Sequence, residues 1–355
     1  MEKQMKKAIG LALAAILIFV GTFFAFLTIE SRPVDASDDS KVFINIEEGS
    51  GASQIASQLA ANGLIRNELA FKLRAKMSGA GGKFQAGAYA VSKSMSTSSI
   101  IDMIVDGRTA GKSFRIIEGL SLDKIAAELA SQDICTEEEF FKEVESGDFD
   151  YRFMEYLPKG PTRLEGFLYP DTYTIGLEDG AHQAIDKMLA NFDSKVGDEY
   201  YDKAKERGMT IFEVVTCASI VEREASLSED KPKVASVIYN RLDKDMYLQM
   251  DSIIAYIQKE DKVIASYSDI AVESDYNPYK NKGLPPGPIC SPGIEAIDAA
   301  LSPADTDYLF FVNSDKLDGS LTFCETDVEF EKANKAFKKA YQEYLDKQET
   351  EGSDD

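Results

Sequence analysis

The sequence predicts an α+β protein with two folded parts behind a single apolar N-terminal helix. Three observations support this: an uncharged apolar run near the N-terminus, a strand–turn–helix pattern that occurs twice, and a long remainder in which helical periodicity alternates with short apolar strands. The chain has 355 residues, of which 44% are hydrophobic, enough for more than one buried core.

Composition excludes several classes of protein. The formal net charge is −22, so a nucleic-acid-binding role is not expected, because phosphate contacts need clustered basic residues. The single histidine, His182, argues against a His-rich metal site. The four cysteines form no C-x-x-C pair, which favours isolated thiols, although three disulfide pairings remain formally open.

The first element is a predicted transmembrane helix at residues 8–28. As a helix this uncharged run spans roughly 31 Å, close to the hydrocarbon thickness of a bilayer. Lysines precede it in residues 1–7 and acidic residues dominate after it, so the positive-inside rule places 1–7 in the cytoplasm and the rest of the chain outside the cell. A cleaved signal peptide ending near Ala36 is the alternative, although signal peptides usually have a shorter apolar run than this one. Residues 29–40 are predicted to be a polar linker.

A small α+β module is predicted at residues 41–112. An alternating segment at Val42–Ile46, a glycine turn and an Ile-Ala-x-x-Leu-Ala helix recur about 70 residues later, from Phe114 onward, which suggests a duplicated strand–turn–helix motif. Further helix-like stretches and a strand around Phe84–Val91 complete the module, whose size and order resemble the LysM-like domain. Fold alone does not establish glycan binding.

The larger α+β region is predicted at residues 113–345, followed by an acidic tail at 346–355. Helical spacing of apolar residues predicts helices at Thr210–Ala225 and at Lys231–Leu242, and an amphipathic helix closes the region. Tyr308–Val312 is predicted to be a buried strand.

Two glutamates at the end of the Thr210–Ala225 helix are candidate acids. Glu222 and Glu224 lie about 200° apart on a helix, so only one of them can point into a given cleft. A carboxyl group against an apolar wall keeps its proton near neutral pH, as a general acid must. The spacing does not choose between the two residues, and taken alone it favours an ordinary exposed turn at Glu222–Glu224.

Other candidate segments are aromatic or amide-rich. Leu164–Tyr173 combines aromatic residues with a Pro-Asp-Thr turn and fits either a packing corner or a stacking surface. Polar side chains that could line a groove occur between Pro/Gly turns further on. They are Asn240, Gln249, Asp251, Asn277 and Tyr279. Asp251 is the natural partner if the chemistry needs two carboxylates.

Eight motifs in one order give the chain a family resemblance. They are EG-x-S-x-x-x-IA, EGFLYPDTY, ASIVEREA, VASVIYNRL, LQMDS, YNPY, GLPPGPI and ALSPADTDYLFFV. Together they resemble the endolytic murein transglycosylase family and cover essentially the whole chain after the apolar run.

The resemblance implies a membrane-anchored lyase that cleaves the β-1,4 bond between N-acetylmuramic acid and N-acetylglucosamine in nascent peptidoglycan, leaves 1,6-anhydro ends and limits strand length. It assigns the catalytic acid to Glu224 and places the five polar residues named above near the substrate. It also implies glycan strands as substrate, penicillin-binding proteins as partners and no need for a metal or organic cofactor.

The sequence departs from the family pattern at several positions. Ser252 stands where the family usually has proline, and Leu321 and Phe330 stand where histidines are common. A hydrolytic muramidase that uses Glu224 with Asp251, and a membrane-tethered peptidoglycan-binding scaffold without catalysis, remain alternatives.

Overall fold

The computed structural model describes residues 2–47, 49–177, 179–260 and 268–351, without the side chains of 2–12, 15 and 349–351. The chain divides into two compact units. The first runs to Lys112 and includes a short segment that begins at Thr174, and the second contains Ser113–Tyr173 and the chain from Asp179 onward. The mixed α+β class predicted from the sequence is confirmed.

The first unit is a small helical layer on a two-stranded sheet. Its elements are α1 (Glu2–Glu30), β1 (Val42–Ile46), α2 (Ala52–Ala61), α3 (Glu68–Met77), β2 (Gly87–Val91) and α4 (Thr97–Val105). Strands β1 and β2 are antiparallel, with Val42 opposite Val91. Alternate residues of β1 and the apolar faces of the helices form one buried core. The likeness of this unit to LysM-like domains stays a prediction.

Helix α1 covers the segment predicted to cross a membrane. Among the residues that the structure describes, no helix meets the joint requirement of length and apolar character for spanning a bilayer. The side chains of residues 8–12 and 15, which belong to the predicted span, lie outside the described set.

The segment predicted to be a linker packs on the first unit instead of extending freely. The Arg66 guanidinium donates to the carbonyl oxygens of Pro33 and Val34 at 2.8–3.0 Å. The Lys93 ammonium pairs with Asp38 at 3.0 Å. Sequence composition alone could not reveal this, because the polar residues of 29–40 find their partners far along the chain.

The second unit is mainly helical. Its elements are most of β3 (Gly111–Ile116), α5 (Leu122–Ser131), α6 (Glu137–Ser146), a short 3₁₀ helix (Arg152–Tyr156), the first half of β4 (Asp171–Gly176), α7 (Ala181–Lys195), α8 (Asp198–Glu206), α9 (Ile211–Glu224), α10 (Lys231–Asp243), α11 (Asp251–Gln258), α12 (Ile294–Leu301), β5 (Phe310–Asn313), β6 (Leu321–Cys324) and α13 (Asp327–Glu351). Strands β3 and β4 pair, and β5 and β6 form an antiparallel hairpin.

Helix α9 is the central element of this unit. A continuous run of its residues, from Val214 to Val221, is buried, and the helix packs against α8, α10, α11 and α12. A helix that is apolar on nearly all sides must be enclosed by others. The two glutamates at its C-terminal end therefore emerge from the core among neighbouring elements.

Two predictions for the C-terminal region need correction. The strand predicted to be buried is β5, which is only half-buried and begins at Phe310. Helix α13 continues to Glu351, so the first part of the predicted tail is helical, and residues 352–355 lie outside the described residues. The four cysteines are free thiols, and Cys217, Cys290 and Cys324 are buried.

Candidate active site

Glu224 is the last residue of α9, and the ends of this helix are well defined. The Thr210 hydroxyl accepts the N–H of Glu213 while the Glu213 carboxylate accepts the N–H of Thr210, a reciprocal cap. After Glu224 the backbone of Ala225 is extended, with φ −109° and ψ 114°. The helix therefore holds Glu224 at a fixed point next to the start of α11.

The two glutamates at this end have different surroundings. Glu222 forms an ion pair with Lys231 at 3.1 Å and accepts the N–H of Gly293 at 3.0 Å. Both side chains of the pair are only 10% exposed, so the role of Glu222 is to hold α10 and α12 on α9. Glu224 lies on another side of the helix, as the helical period requires.

The Glu224 carboxyl group meets the N-terminus of α11. Its Oε1 accepts the backbone N–H of Ser252 at 3.3 Å. Glu224 is half-buried. Burial raises the pKa of the Glu224 carboxyl, while the hydroxyl and the N–H of Ser252 act in the opposite direction and the neighbouring charge of Asp251 adds to the rise. An accessible carboxyl with a raised pKa can hold and donate a proton near neutral pH.

Asp251 and Tyr279 form a pair next to this acid. The Tyr279 hydroxyl donates to Asp251 Oδ1 at 2.6 Å. Burial and the Asp251 carboxylate raise the pKa of Tyr279, so it remains a neutral donor. The structure thus brings Glu224, Asp251 and Tyr279 together.

Arg241 is a cation of the site that was not singled out from the sequence. It is 7% exposed, and its guanidinium donates to the carbonyl oxygens of Leu309, at 2.6 Å, and Leu248. Burial lowers the pKa of Arg241, and the neighbouring Tyr279 and Glu224 side chains oppose that change electrostatically. Its position after Asn240 on α10 gave no signal, because an arginine at a helix end is usually solvated.

The three predicted amide residues have different surroundings. Asn240 donates to the carbonyl oxygens of Thr306 and Tyr308 at 2.8 and 2.9 Å. Asn277 is fully buried, donates to two backbone carbonyls and accepts the N–H of Tyr279 at 2.9 Å. These two amides therefore hold loops in place.

Gln249 is the exposed one of the three amides. It has φ +51°, and its backbone N–H donates to the carbonyl oxygen of Pro278 at 3.2 Å. Its side chain is exposed ahead of α11, so its role in substrate binding stays a prediction.

Glu165 is a second perturbed acid, inside the aromatic segment Leu164–Tyr173. It is 4% exposed and accepts the N–H of Leu122 at 3.1 Å and the Tyr256 hydroxyl at 3.2 Å. Burial raises its pKa to about 8. The sequence offered one signal, an acidic residue flanked by Leu164 and aromatic residues, but the segment as a whole resembled a packing corner.

A pocket of about 80 Å³ lies along α11 and the start of α5. Its lining residues are Gly119, Ser121, Asp123, Lys124, Arg223, Ser252, Ala255, Tyr256, Lys259, Glu260 and Ile289. Ser252 belongs both to this lining and to the surroundings of Glu224. Over the described ranges, no group of three or more His, Cys, Asp or Glu side chains could hold a metal ion.

Comparison with known proteins identifies the family. A family model described as the YceG-like family matches residues 44–336. The chain belongs to the YceG-like family. The resemblance that eight sequence motifs indicated is confirmed.

Individual relatives carry the same family name or a functional one. The endolytic murein transglycosylase of Bacillus subtilis (strain 168) is 34% identical over 332 residues, which is 90% of this chain and 91% of the relative. The endolytic murein transglycosylase of Streptococcus pneumoniae serotype 2 (strain D39) is 33% identical over 325 residues, 83% of this chain and 59% of the relative. The crystal structure of a yceG-like protein from Listeria monocytogenes has a TM-score of 0.55 and 34% identity, and the match covers 82% of this chain and 99% of that one.

Three glutamates of this YceG-like chain cap helices to which they do not belong. Glu165 accepts an N–H at the start of α5, Glu222 at the start of α12 and Glu224 at the start of α11. The N-cap residue of each of these helices provides no side-chain hydrogen bond. Because the first N–H groups of a helix lack intrahelical partners and carry partial positive charge, carboxylates satisfy them well.

Proposed function

We propose that this protein is an endolytic lytic transglycosylase that cleaves the β-1,4 bond between N-acetylmuramic acid and N-acetylglucosamine within peptidoglycan strands. The observation that carries the proposal is the half-buried Glu224 carboxyl with its raised pKa at the N-terminus of α11. Two curated relatives at 33–34% identity, each named endolytic murein transglycosylase, support the reaction class.

The first step is general acid catalysis by Glu224. Its proton passes to the bridging oxygen as the bond to the muramic acid C1 breaks and positive charge develops on that ring. Glu224 becomes a carboxylate in the same step. The Ser252 N–H and the partial positive charge at the start of α11 stabilise this anion.

The second step closes a ring within the sugar. The Glu224 carboxylate removes the proton from the C6 hydroxyl of the same muramic acid, and the oxygen bonds to C1. The product is a 1,6-anhydro end, no water is consumed and Glu224 regains its proton. One carboxyl suffices because an attacking group already held near C1 has a high effective concentration.

Asp251 gives a hydrolytic alternative a specific basis. It lies close enough to Glu224 to influence that carboxyl electrostatically, so it is a candidate base for activating a water molecule. Its Oδ1 already accepts the Tyr279 hydroxyl, which favours a role in orientation and charge.

Membrane anchoring by residues 8–28 is part of the proposal and rests on the uncharged apolar run in the sequence. Lysines in residues 1–7 favour a cytoplasmic N-terminus and an extracellular catalytic unit. Residues 33–38 pack on the first unit, so the anchor would keep the first unit close to the membrane surface, where new glycan emerges. Penicillin-binding proteins of the synthesis machinery are proposed as partners.

The test is incubation of the purified protein with uncrosslinked glycan strands, followed by mass analysis of the new ends. Anhydro ends, one water lighter than reducing ends, are expected at internal positions of the strands. Reducing muramic acid ends would instead indicate a muramidase. Binding to strands without any change in their length would indicate a scaffold, and either result would overturn the proposal.

A further inference from the structure

Glu165 is a buried carboxyl for which the two catalytic steps have no use. It is 4% exposed, and its oxygens accept the N–H of Leu122 at 3.1 and 3.2 Å. The Tyr256 hydroxyl donates to it at 3.2 Å. Burying a carboxyl is unfavourable, so we ask which elements of the structure Glu165 connects.

The first connection is to the start of α5. Leu122 is the first residue of α5, and the Ser121 side chain ahead of it makes no cap hydrogen bond. Glu165 therefore caps α5 from a distant part of the chain. This keeps the adjoining Ser121 and Asp123, which line the pocket, in their places.

The second connection is to α11. Tyr256 follows Ser252 by four residues on this helix, so the two side chains lie on one face, one turn apart. Both line the pocket, and Ser252 donates its N–H to Glu224. The chain of contacts from Glu165 through Tyr256 and α11 thus ends at the proposed catalytic acid.

We propose that Glu165 is a positioning residue that fixes α5 and α11 around the pocket and thereby holds the Ser252 N–H against the Glu224 carboxyl. The effect on catalysis rests on the proposed function. The restraint of α11 depends only on the contacts that Glu165 makes.

The groups around Glu165 set its proton equilibrium. Asp123 on α5 is acidic and adds to the rise of its pKa, while Tyr256 on α11 donates to the carboxyl. Tyr276 and the Cys290 thiol lie near enough to be influenced by its charge. With a pKa of about 8, Glu165 is largely neutral at pH 7, and its ionisation at higher pH places a charge next to Tyr256, which lines the pocket.

Hydrogen exchange tests the restraint without any need for activity. Glu165→Ala and Tyr256→Phe are each expected to increase amide exchange in α11 at least about threefold, and Glu165→Gln, which can still accept the N–H of Leu122, much less. The matched control is Glu143→Gln, which alters a glutamate of the same unit that pairs with His182 and does not line the pocket. Unchanged exchange of α11 in both Glu165→Ala and Tyr256→Phe would overturn the proposal.

Cleavage kinetics test the catalytic consequence. We expect Glu165→Ala to lower kcat about tenfold with KM within twofold, because a small displacement of a catalytic group mainly affects the transition state. Glu165→Gln should restore most of this rate at pH 7. The double variant with Tyr256→Phe should be no slower than Glu165→Ala, since both changes break one connection.

Other outcomes are also decisive. Additive losses in the double variant, or a folded Glu165→Ala with a kcat within twofold of wild type, contradict the role. Should Glu165→Ala fail to fold, the smaller change Tyr256→Phe decides alone. A wild-type protein that does not cleave glycan overturns the proposed function, whereas the exchange experiment still tests the restraint of α11.

Discussion

The backbone N–H of Ser252 donates to the Glu224 carboxyl at 3.3 Å, so the acid at the end of α9 also caps the start of α11. Met250, at the N-cap position, has no side-chain group that caps this helix. Two demands on Glu224 meet in this contact. Burial favours the protonated acid needed to begin the reaction, and the helix N-terminus favours the carboxylate formed during it.

Replacement of Glu224 by glutamine should abolish catalysis and preserve the fold. The amide has the same shape but no proton to donate, so we expect a rate loss of at least about a hundredfold. The measurement is release of anhydro ends from glycan strands, with circular dichroism to check the fold. Cleavage at near wild-type rate would exclude Glu224 as the acid.

Replacement of Glu222 by glutamine, two residues before Glu224, is expected to affect stability and not catalysis. Lys231 is 8% exposed and would lose its buried partner, keeping only the longer ion pair with the exposed Glu295 at 3.6 Å, so we expect a loss of about 2 kcal/mol in the free energy of unfolding. Folded protein should retain cleavage, because Glu222 contacts α10 and α12 and not the start of α11. Denaturant unfolding measures the first effect. A stable but inactive variant would show that the roles of the two glutamates are exchanged.

Ser252→Pro should shift the pH dependence of cleavage towards higher pH. Proline lacks the N–H that stabilises the Glu224 carboxylate but is tolerated in the first turn of a helix, so the pKa of the acid should rise further and α11 should persist. A general acid works in its protonated form, hence the alkaline limb moves up. Ser252→Ala keeps the N–H and should shift the limb less. Identical profiles for both variants would remove the N–H from the account.

Asp251→Asn should shift the alkaline limb the opposite way. The Asp251 charge raises the pKa of Glu224, so removing it makes the acid lose its proton at lower pH. We expect the rate at the optimum to fall by less than about tenfold, because Tyr279 can still donate to the amide oxygen. A loss of about a hundredfold or more would instead point to Asp251 as a catalytic base.

The raised pKa of Glu224 also predicts a pH-dependent difference in stability. A carboxyl whose pKa is higher in the folded than in the unfolded protein binds more protons when folded, so its contribution to stability falls as pH rises above the unfolded value near 4.5. The Tm of Glu224→Gln relative to wild type should therefore increase with pH above this value. Thermal unfolding across pH 4 to 8 measures it, and a constant difference would mean that the carboxyl is not perturbed.

Local patterns predicted much of the secondary structure. The alternation at Val42–Ile46 is β1, and the helical spacing after Thr210 is α9 within one residue at each end. These elements follow from contacts between residues close in sequence. The packing of residues 33–38 could not be predicted for a related reason, since Arg66 and Lys93, which contact them, lie far along the chain.

The sequence by itself determined that the chain has an acidic helix end at Glu222 and Glu224, and that these two side chains point in different directions. Only the tertiary structure decided what each one meets, Lys231 and α12 on one side and α11 on the other. It also showed that Glu165, which the sequence presents only as part of an aromatic segment, is a buried acid with a raised pKa. The physical reason is that helical geometry is local, whereas desolvation and capping depend on which distant elements surround a carboxyl.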